Sequence, residues 1–126
     1  MVVVHGKSFI TTDEDIITIK AVGAFNLEGI NKVISELKLV IESFNGRGFK
    51  LLFDYAETEG GTPDVYEKIN DCNIWLNSQN MIAKALIITS STNLAILESR
   101  TPARKSQNSQ HFKERESAIA WLNLQG

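Results

Sequence analysis

The chain has 126 residues, a net charge of −2, 43% apolar residues and 22% charged residues. These values predict one globular domain over residues 1–126 with a real core, and they exclude a disordered chain. The slight acidic excess argues against nucleic-acid binding. The single cysteine, Cys72, allows no intrachain disulfide and favours a reducing compartment, so we expect a cytoplasmic protein. The opening residues lack signal-peptide features, and no apolar run approaches the ~20 residues that insertion across a membrane needs.

The N-terminal part predicts a β-hairpin followed by a helix. Val2–Ile10 is rich in β-branched residues, and Ile16–Val22 alternates apolar with polar side chains. The polar turn at residues 11–15 is so short that these two strands must be antiparallel. Asn26 is a good N-cap, and apolar residues then recur at steps of three and four as far as Phe44, which predicts an amphipathic helix.

The middle of the chain predicts two buried strands around a second helix. Phe49–Asp54 contains a continuous apolar run, which is typical of a strand covered on both faces. Residues 56–61 are acidic and end in two glycines, so we expect a flexible loop. Thr62, followed by proline and aspartate, predicts a helix start, and this helix should extend to about Asn77. Ala85–Thr89 predicts the next buried strand.

The C-terminal part predicts two helices and a short edge strand. Leu94–Ser99 suits a short helix, which Thr101-Pro102 should end or kink. Residues 104–110 are polar and carry no clear pattern. His111-Phe112 suits an edge strand, and Glu114–Leu124 suits a closing helix.

The predicted order of elements is therefore β-β-α-β-α-β-α-(β)-α. Strands that alternate with helices indicate parallel βαβ units, whereas the opening hairpin adds an antiparallel pair. We expect an α/β fold with a mixed sheet of four or five strands and helices packed against it.

Three segments resemble a STAS domain, the SpoIIAA-like fold of the anti-sigma-factor antagonists. They are Ile17–Gly23 before a long amphipathic helix, Lys50–Asp54 after it, and an ending that combines His111-Phe112 with Ser117–Leu122. The ending is similar to that of a less-characterised bacterial branch of SpoIIAA-like proteins. The resemblance covers nearly the whole chain as an order of elements, and it implies a protein–protein switch fold or a ligand-binding relative of it.

The antagonists that the chain resembles carry a phosphorylated serine at the start of the helix after the third strand, and the resemblance implies a phosphate acceptor at the same place here. The corresponding stretch here, Gly61–Asp64, has no serine, so that Thr62 is the candidate acceptor, with Thr58 in the segment before it. Tyr55 is expected to follow a strand's end, where open α/β sheets place their ligands. The predicted binding residues are accordingly Asp54, Tyr55, Thr58, Gly61, Thr62 and Asp64.

The residues that could support chemistry are sparse. His5 and His111 lie far apart in sequence and have no ligand-like spacing to Cys72, so we expect no metal site. Cys72 lies mid-helix beside an aspartate, which suits a buried structural thiol and not a nucleophile. The glycine pairs make no dinucleotide or phosphate-loop motif. We therefore expect no cofactor and no enzyme activity, and a hydrolase or transferase is the least favoured hypothesis.

Two functional hypotheses remain. The first is a regulatory or interaction module that binds another protein through the predicted residues. The alternative is a carrier of a small apolar ligand or lipid, with a pocket between sheet and helices, and this is an analogy of fold alone. The charges are unevenly distributed along the chain, with mostly acidic residues in 54–71 and mostly basic residues in 100–115. These two regions would steer a partner or allow head-to-tail self-association. The alternative is that both are simply solvated surfaces.

Overall fold

The computed structural model describes residues 3–126, which form a mixed five-stranded sheet and four α-helices. The strands are β1 (Lys7–Asp13), β2 (Ile16–Phe25), β3 (Phe49–Gly61), β4 (Met81–Ile87) and β5 (Ser109–Phe112). The helices are α1 (Leu27–Glu42), α2 (Pro63–Leu76), α3 (Ser91–Arg100) and α4 (Arg115–Asn123), and a 3-10 helix spans Pro102–Ser106. The strands lie side by side in chain order, with β1 antiparallel to β2 and all other pairs parallel. The predicted α/β class and order of elements are confirmed.

The hairpin is present, but its bounds differ from the prediction. The strand predicted over Val2–Ile10 is observed as β1 from Lys7, so that residues 3–6 are not strand, while Val2 lies outside the described residues. β1 runs on to Asp13, which pairs with Ile16. The turn is therefore reduced to two residues, and Glu14 adopts a left-handed φ of 53° there. The polar residues 11–13 suggested a turn because an edge strand exposes polar side chains as a turn does.

Asn26 caps α1 as predicted and also ties down the segment before β1. Its Oδ1 accepts hydrogen bonds from the backbone N–H of Gly29 at 2.9 Å and of His5 at 3.0 Å. Its Nδ2 donates to the carbonyl of Val3 at 2.7 Å. One side chain therefore joins the start of a helix to a segment 21–23 residues earlier in the chain.

Replacing Asn26 with alanine should lower the free energy of unfolding by about 1–2 kcal/mol, since helix N-caps of this kind contribute that much. Hydrogen exchange at the amides of residues 3–6 should also accelerate. Urea unfolding and amide exchange measure the two effects. Asn31→Ala, an exposed position inside α1, is the matched control and should change neither quantity.

The sheet is covered on both faces. On one face, α1 and α2 pack on side chains such as Ile17, Ile19 and Leu51. On the other face, α4 packs through Ala118 and Leu122 on a smaller cluster that includes Leu52, Ala83, Ala85 and Ile87. Because Leu51 and Leu52 are adjacent and fully buried on opposite faces, the prediction of a strand covered on both sides is confirmed.

The largest correction concerns β3, which continues through the segment predicted to be a loop. Residues 56–61 are strand, and Glu57, Thr58 and Gly61 pair with β2, which itself runs on beyond Val22 to Phe25. Ala56, Glu57 and Glu59 are exposed. The polar and glycine-rich composition therefore reflects an exposed strand that its neighbour holds in extended form.

Smaller corrections concern the C-terminal half. The strand predicted over Ala85–Thr89 begins earlier, at Met81, and ends at Ile87, while α3 is longer than predicted. The 3-10 helix covers part of the segment that showed no pattern. The predicted edge strand is present as β5, and Glu114 is the N-cap of α4 and not its first residue. In residues 3–126, no helix has the length and apolar character that crossing a membrane requires.

Candidate functional site

The predicted binding residues lie where β3 outruns its neighbour β4. The last pair between β3 and β4 is Asp54 with Ile87, whereas β3 remains paired with β2 up to Gly61 with Phe25. Residues 55–61 thus have a strand neighbour on one side only within the described chain. We call the other side of this segment the β3 edge.

An apolar crevice of about 60 Å³ adjoins the β3 edge. It lies between the sheet and the helices α1, α2 and α3. Of the predicted residues, Tyr55, Thr58 and Gly61 line the crevice, and Asp54, Thr62 and Asp64 do not. The structure therefore divides the six predicted residues into a crevice group and a surface group.

Tyr55 lies inside β3 and not after the end of a strand, as the sequence suggested. It is the first residue beyond the last β3–β4 pair, so it still marks the point where β4 ends beside β3. Its ring stacks on Phe53, with centroids 5.5 Å apart and planes 8° from parallel. Burial raises the pKa of the Tyr55 hydroxyl, so this side chain offers a neutral, largely apolar surface.

Asp54 and Thr58 fix the backbone of the site. The Asp54 carboxylate accepts a hydrogen bond from the backbone N–H of Ala56 at 3.0 Å. The Thr58 hydroxyl donates to the carbonyl of Ala21 on β2 at 3.3 Å. These two bonds flank the register shift between β2 and β3, so the side chains support a locally irregular strand pair.

Two members of the surface group, Thr62 and Asp64, lie at the start of α2. A Cβ atom on Gly61 would lie 2.9 Å from Cγ1 of Val65, so the glycine lets the helix start close to the strand. Thr62 is the N-cap by position, but its side chain makes no capping bond to the helix backbone. Its hydroxyl donates instead to the Asp64 carboxylate. Both side chains are exposed.

The site carries a negative field. Asp54, Glu57, Glu59 and Asp64 lie on it, and in residues 3–126 only Glu57 among them has a basic partner within 4 Å. That partner is Lys20, at 2.6 Å. Its hydrogen bond and charge interaction with Glu57 raise the pKa of Lys20. The other three carboxylates have only neutral hydrogen-bond partners or solvent around them among the described residues, so they would attract a basic surface.

Sequence reasoning missed several residues of the crevice. Tyr66 and Ile69 come from α2, Ile88 follows β4, and Asn93 and Leu97 come from α3. Tyr66 and Ile69 are three residues apart in the predicted helix and so share one side of it, and this spacing was the available signal. The contribution of α3 had no local signal, because it depends on the close approach of α3 to β3.

Cys72 is buried in the cluster under α1 and α2, where it lines an interior space together with Tyr55. Burial raises the pKa of its thiol. A thiol with a raised pKa is a poor nucleophile, which agrees with the structural role predicted for it.

The comparisons with known proteins bear on the fold. No protein-family model matches the chain, and no curated protein matches it. Among solved structures, it is similar to an uncharacterized DUF3478-family protein with a SpoIIAA-like fold from Shewanella loihica (16% identity, 97% of each chain covered, TM-score 0.68). It is also similar to an anti-sigma factor antagonist from Mycobacterium paratuberculosis (8% identity, 94% of this chain and 95% of the other covered, TM-score 0.69).

A third similar structure is the anti-sigma factor antagonist SpoIIAA in its unphosphorylated form (9% identity, 94% of this chain and 99% of the other covered, TM-score 0.62). The matches extend over nearly the whole of every chain, although identity is low. The chain therefore has the SpoIIAA-like fold that its resemblance to STAS domains implied.

Proposed function

We propose that this protein is a non-enzymatic regulatory module that binds another protein through the β3 edge and the exposed start of α2. The observation that carries the proposal is the unpaired, acidic β3 edge beside an apolar crevice. An edge with free backbone groups can add a strand from a partner, and a pocket beside it can select the partner's side chains. Two similar structures are named anti-sigma factor antagonists, which supports a regulatory role.

The size of the crevice favours an anchor side chain over a carried ligand. Pockets for drug-sized ligands measure about 300–1,000 Å³, whereas the crevice measures about 60 Å³. One apolar side chain at the centre of an interface is the usual kind of anchor. The crevice therefore supports the interaction hypothesis more than the lipid-carrier alternative.

Photo-crosslinking tests the proposal. A photoreactive amino acid placed at Glu59, exposed on the β3 edge, should capture one discrete protein in cells of the host. The same amino acid at Glu42, which is exposed at the end of α1 and therefore lies at the other end of the sheet, should not capture it. The captured protein is then purified and its binding measured directly. Equal capture from both positions, or none from Glu59, would contradict the proposal.

The acidic field should set the association rate. With the captured partner, Glu59→Lys combined with Asp64→Lys should slow association about tenfold at low salt, and the difference should shrink as salt screens the charges. Stopped-flow or surface-based kinetics measure this rate. Asp13→Lys combined with Glu42→Lys, two charge reversals at exposed positions at the other end of the sheet, should leave the rate unchanged. An effect of equal size in that control would remove the acidic edge from the interface.

We also propose Thr62 as the phosphate acceptor of this surface. Thr62 is exposed, and its hydroxyl donates to the exposed carboxylate of Asp64. Thr58, by contrast, is half-buried, and its hydroxyl donates to the backbone carbonyl of Ala21. A phosphate on Thr62 would lie at the start of α2, where the helix dipole favours it, and next to Asp64, which repels it. Host lysate with ATP should modify Thr62 in preference to Thr58, as seen by mass spectrometry. No modification at either threonine would remove this part of the proposal.

A further inference from the structure

A second cavity, of about 210 Å³, lies where the end of α3, the 3-10 helix and the start of β5 meet. It is distinct from the apolar crevice and from the predicted binding residues. We call it the polar basin. Its lining residues are Glu98, Thr101, Arg104, Lys105, Gln107 and Ser109.

Two basic side chains, Arg104 and Lys105, line the polar basin. Arg104 is half-buried, and its Nε donates to the hydroxyl of Ser109 at 3.1 Å. Throughout residues 3–126, no carboxylate lies within 4 Å of its guanidinium. Lys105 is exposed on the same lining, and Glu98 is the one carboxylate there. An arginine held in a cavity by a neutral partner keeps its outer N–H groups available for an anion.

Gln107 adds a buried acceptor. Its Nε2 donates to the backbone carbonyl of Asn73 at 3.4 Å and to Asn73 Oδ1 at 3.2 Å, and these two acceptors fix which way the amide points. Its Oε1 is buried and accepts no hydrogen bond from any residue that the structure describes. A buried acceptor of this kind costs about 1–3 kcal/mol unless a donor reaches it.

A further basic side chain lies behind the basin. Asn73 Oδ1 accepts a hydrogen bond from the Nζ of Lys84 at 2.6 Å. Lys84 is 3% exposed, and it too has no carboxylate within 4 Å among the described residues. Arg104 and Lys84 line a common interior space. Two basic side chains without a carboxylate within 4 Å favour a bound anion, since charge pairing is strongest away from water.

We propose that the polar basin binds a small phosphate monoester that carries a neighbouring hydroxyl group. The phosphate oxygens accept from Arg104 and Lys105, because a guanidinium fork matches phosphate geometry. The ligand's hydroxyl donates to Gln107 Oε1. The volume falls below the ~300–1,000 Å³ of sites for larger ligands, so the ligand is a metabolite of few heavy atoms. Thr101 takes no part, because its hydroxyl already donates to the carbonyl of Leu97 at 2.6 Å.

NMR titration of the full chain tests the site. Glycerol 3-phosphate should shift the amide resonances of residues 101–109, whereas glycerol should not. Arg104→Gln should weaken binding at least tenfold, the usual loss for a charge-assisted hydrogen bond. Lys105→Gln, an exposed change that leaves the fold intact, should weaken it severalfold. Arg115→Gln removes an exposed charge from α4 and should have no effect. Shifts spread over all basic residues, or equal losses in the three variants, overturn the proposal.

A comparison of ligands tests the hydroxyl contact. Glycerol 3-phosphate should bind about fivefold or more tighter than methyl phosphate, which has no hydroxyl group beside its ester. Inorganic phosphate should bind more weakly than glycerol 3-phosphate. Gln107→Met should abolish the preference for glycerol 3-phosphate while methyl phosphate still binds. Equal affinity of the original protein for the two esters overturns the assignment of Gln107, and with it the proposed ligand class.

Discussion

Replacing Lys84 with methionine should raise the free energy of unfolding by about 2 kcal/mol at pH 6, because apolar replacement of buried ionic groups is often stabilising by 1–4 kcal/mol. Lys84 lies in β4 between Ala83 and Ala85, all three buried. Its only hydrogen-bond acceptor in residues 3–126 is the neutral amide of Asn73. Methionine has a similar length, and Asn73 Oδ1 keeps its bond from Gln107.

The gain should shrink as the pH rises. Burial, with a smaller contribution from the charge of Arg104, lowers the pKa of Lys84 from 10.5 to about 7. Between these two values the unfolded chain holds a proton that the folded chain has released, so the stability of the original protein rises with pH in that window. Burial also raises the pKa of Cys72 and of Tyr55, and these groups oppose the trend at higher pH.

Urea unfolding of both proteins from pH 6 to about 8, below the ordinary pKa of a thiol, measures the effect. The matched control is Lys50→Met. Lys50 is also buried, at 7% exposed, but Asp15 lies 3.5 Å from its Nζ. This control should show neither the gain nor the change of slope. A loss of stability in Lys84→Met at pH 6 would mean that the buried amine is stabilising in a way that the described contacts do not explain.

Leu122→Ala should lower the free energy of unfolding by about 3 kcal/mol, within the range for cavities left by leucine in a packed core. Leu122 is fully buried, and together with Ala118 it holds α4 against the sheet. The face under α4 has fewer buried residues than the opposite face. A cavity there removes a large share of the packing that holds this helix.

The control for this change is two residues away. Leu124→Ala alters a side chain that is 84% exposed, so the free energy of unfolding should change by less than about 0.5 kcal/mol. Urea unfolding measures both variants. Equal losses in the two variants would contradict the packing of α4 described here.

The fold was largely predictable because its elements have strong local patterns. The helical periodicity of α1 and the apolar run of β3 both correspond to buried faces. The sequence did not predict the extension of β3 through residues 56–61, since pairing with β2 is a long-range interaction that overrides an acidic, glycine-rich composition. The 3-10 helix showed no pattern for a related reason: it is fixed by bonds to α2, such as that from the N–H of Ala103 to Asn70 Oδ1 at 3.0 Å.

The sequence predicted where in the chain the candidate site lies, but it did not predict how the residues of the site are arranged in space. The acids and Thr62 lie at the end of β3 and the start of α2, as the chain order implied. The crevice depends on Ile88, Asn93 and Leu97, which lie far from β3 in the sequence. Lys84 was overlooked for a different reason. It interrupts an apolar run, and an isolated lysine gives no indication that it is buried until α2 and the 3-10 helix are in place.

Hydrogen exchange on this protein with and without its crosslinked partner tests the central proposal most directly. If the partner adds a strand to the β3 edge, the amides of residues 55–61 should become strongly protected, and those of α4 should not change. Protection confined to α4, with residues 55–61 exchanging as they do in the free protein, would contradict the proposed interface.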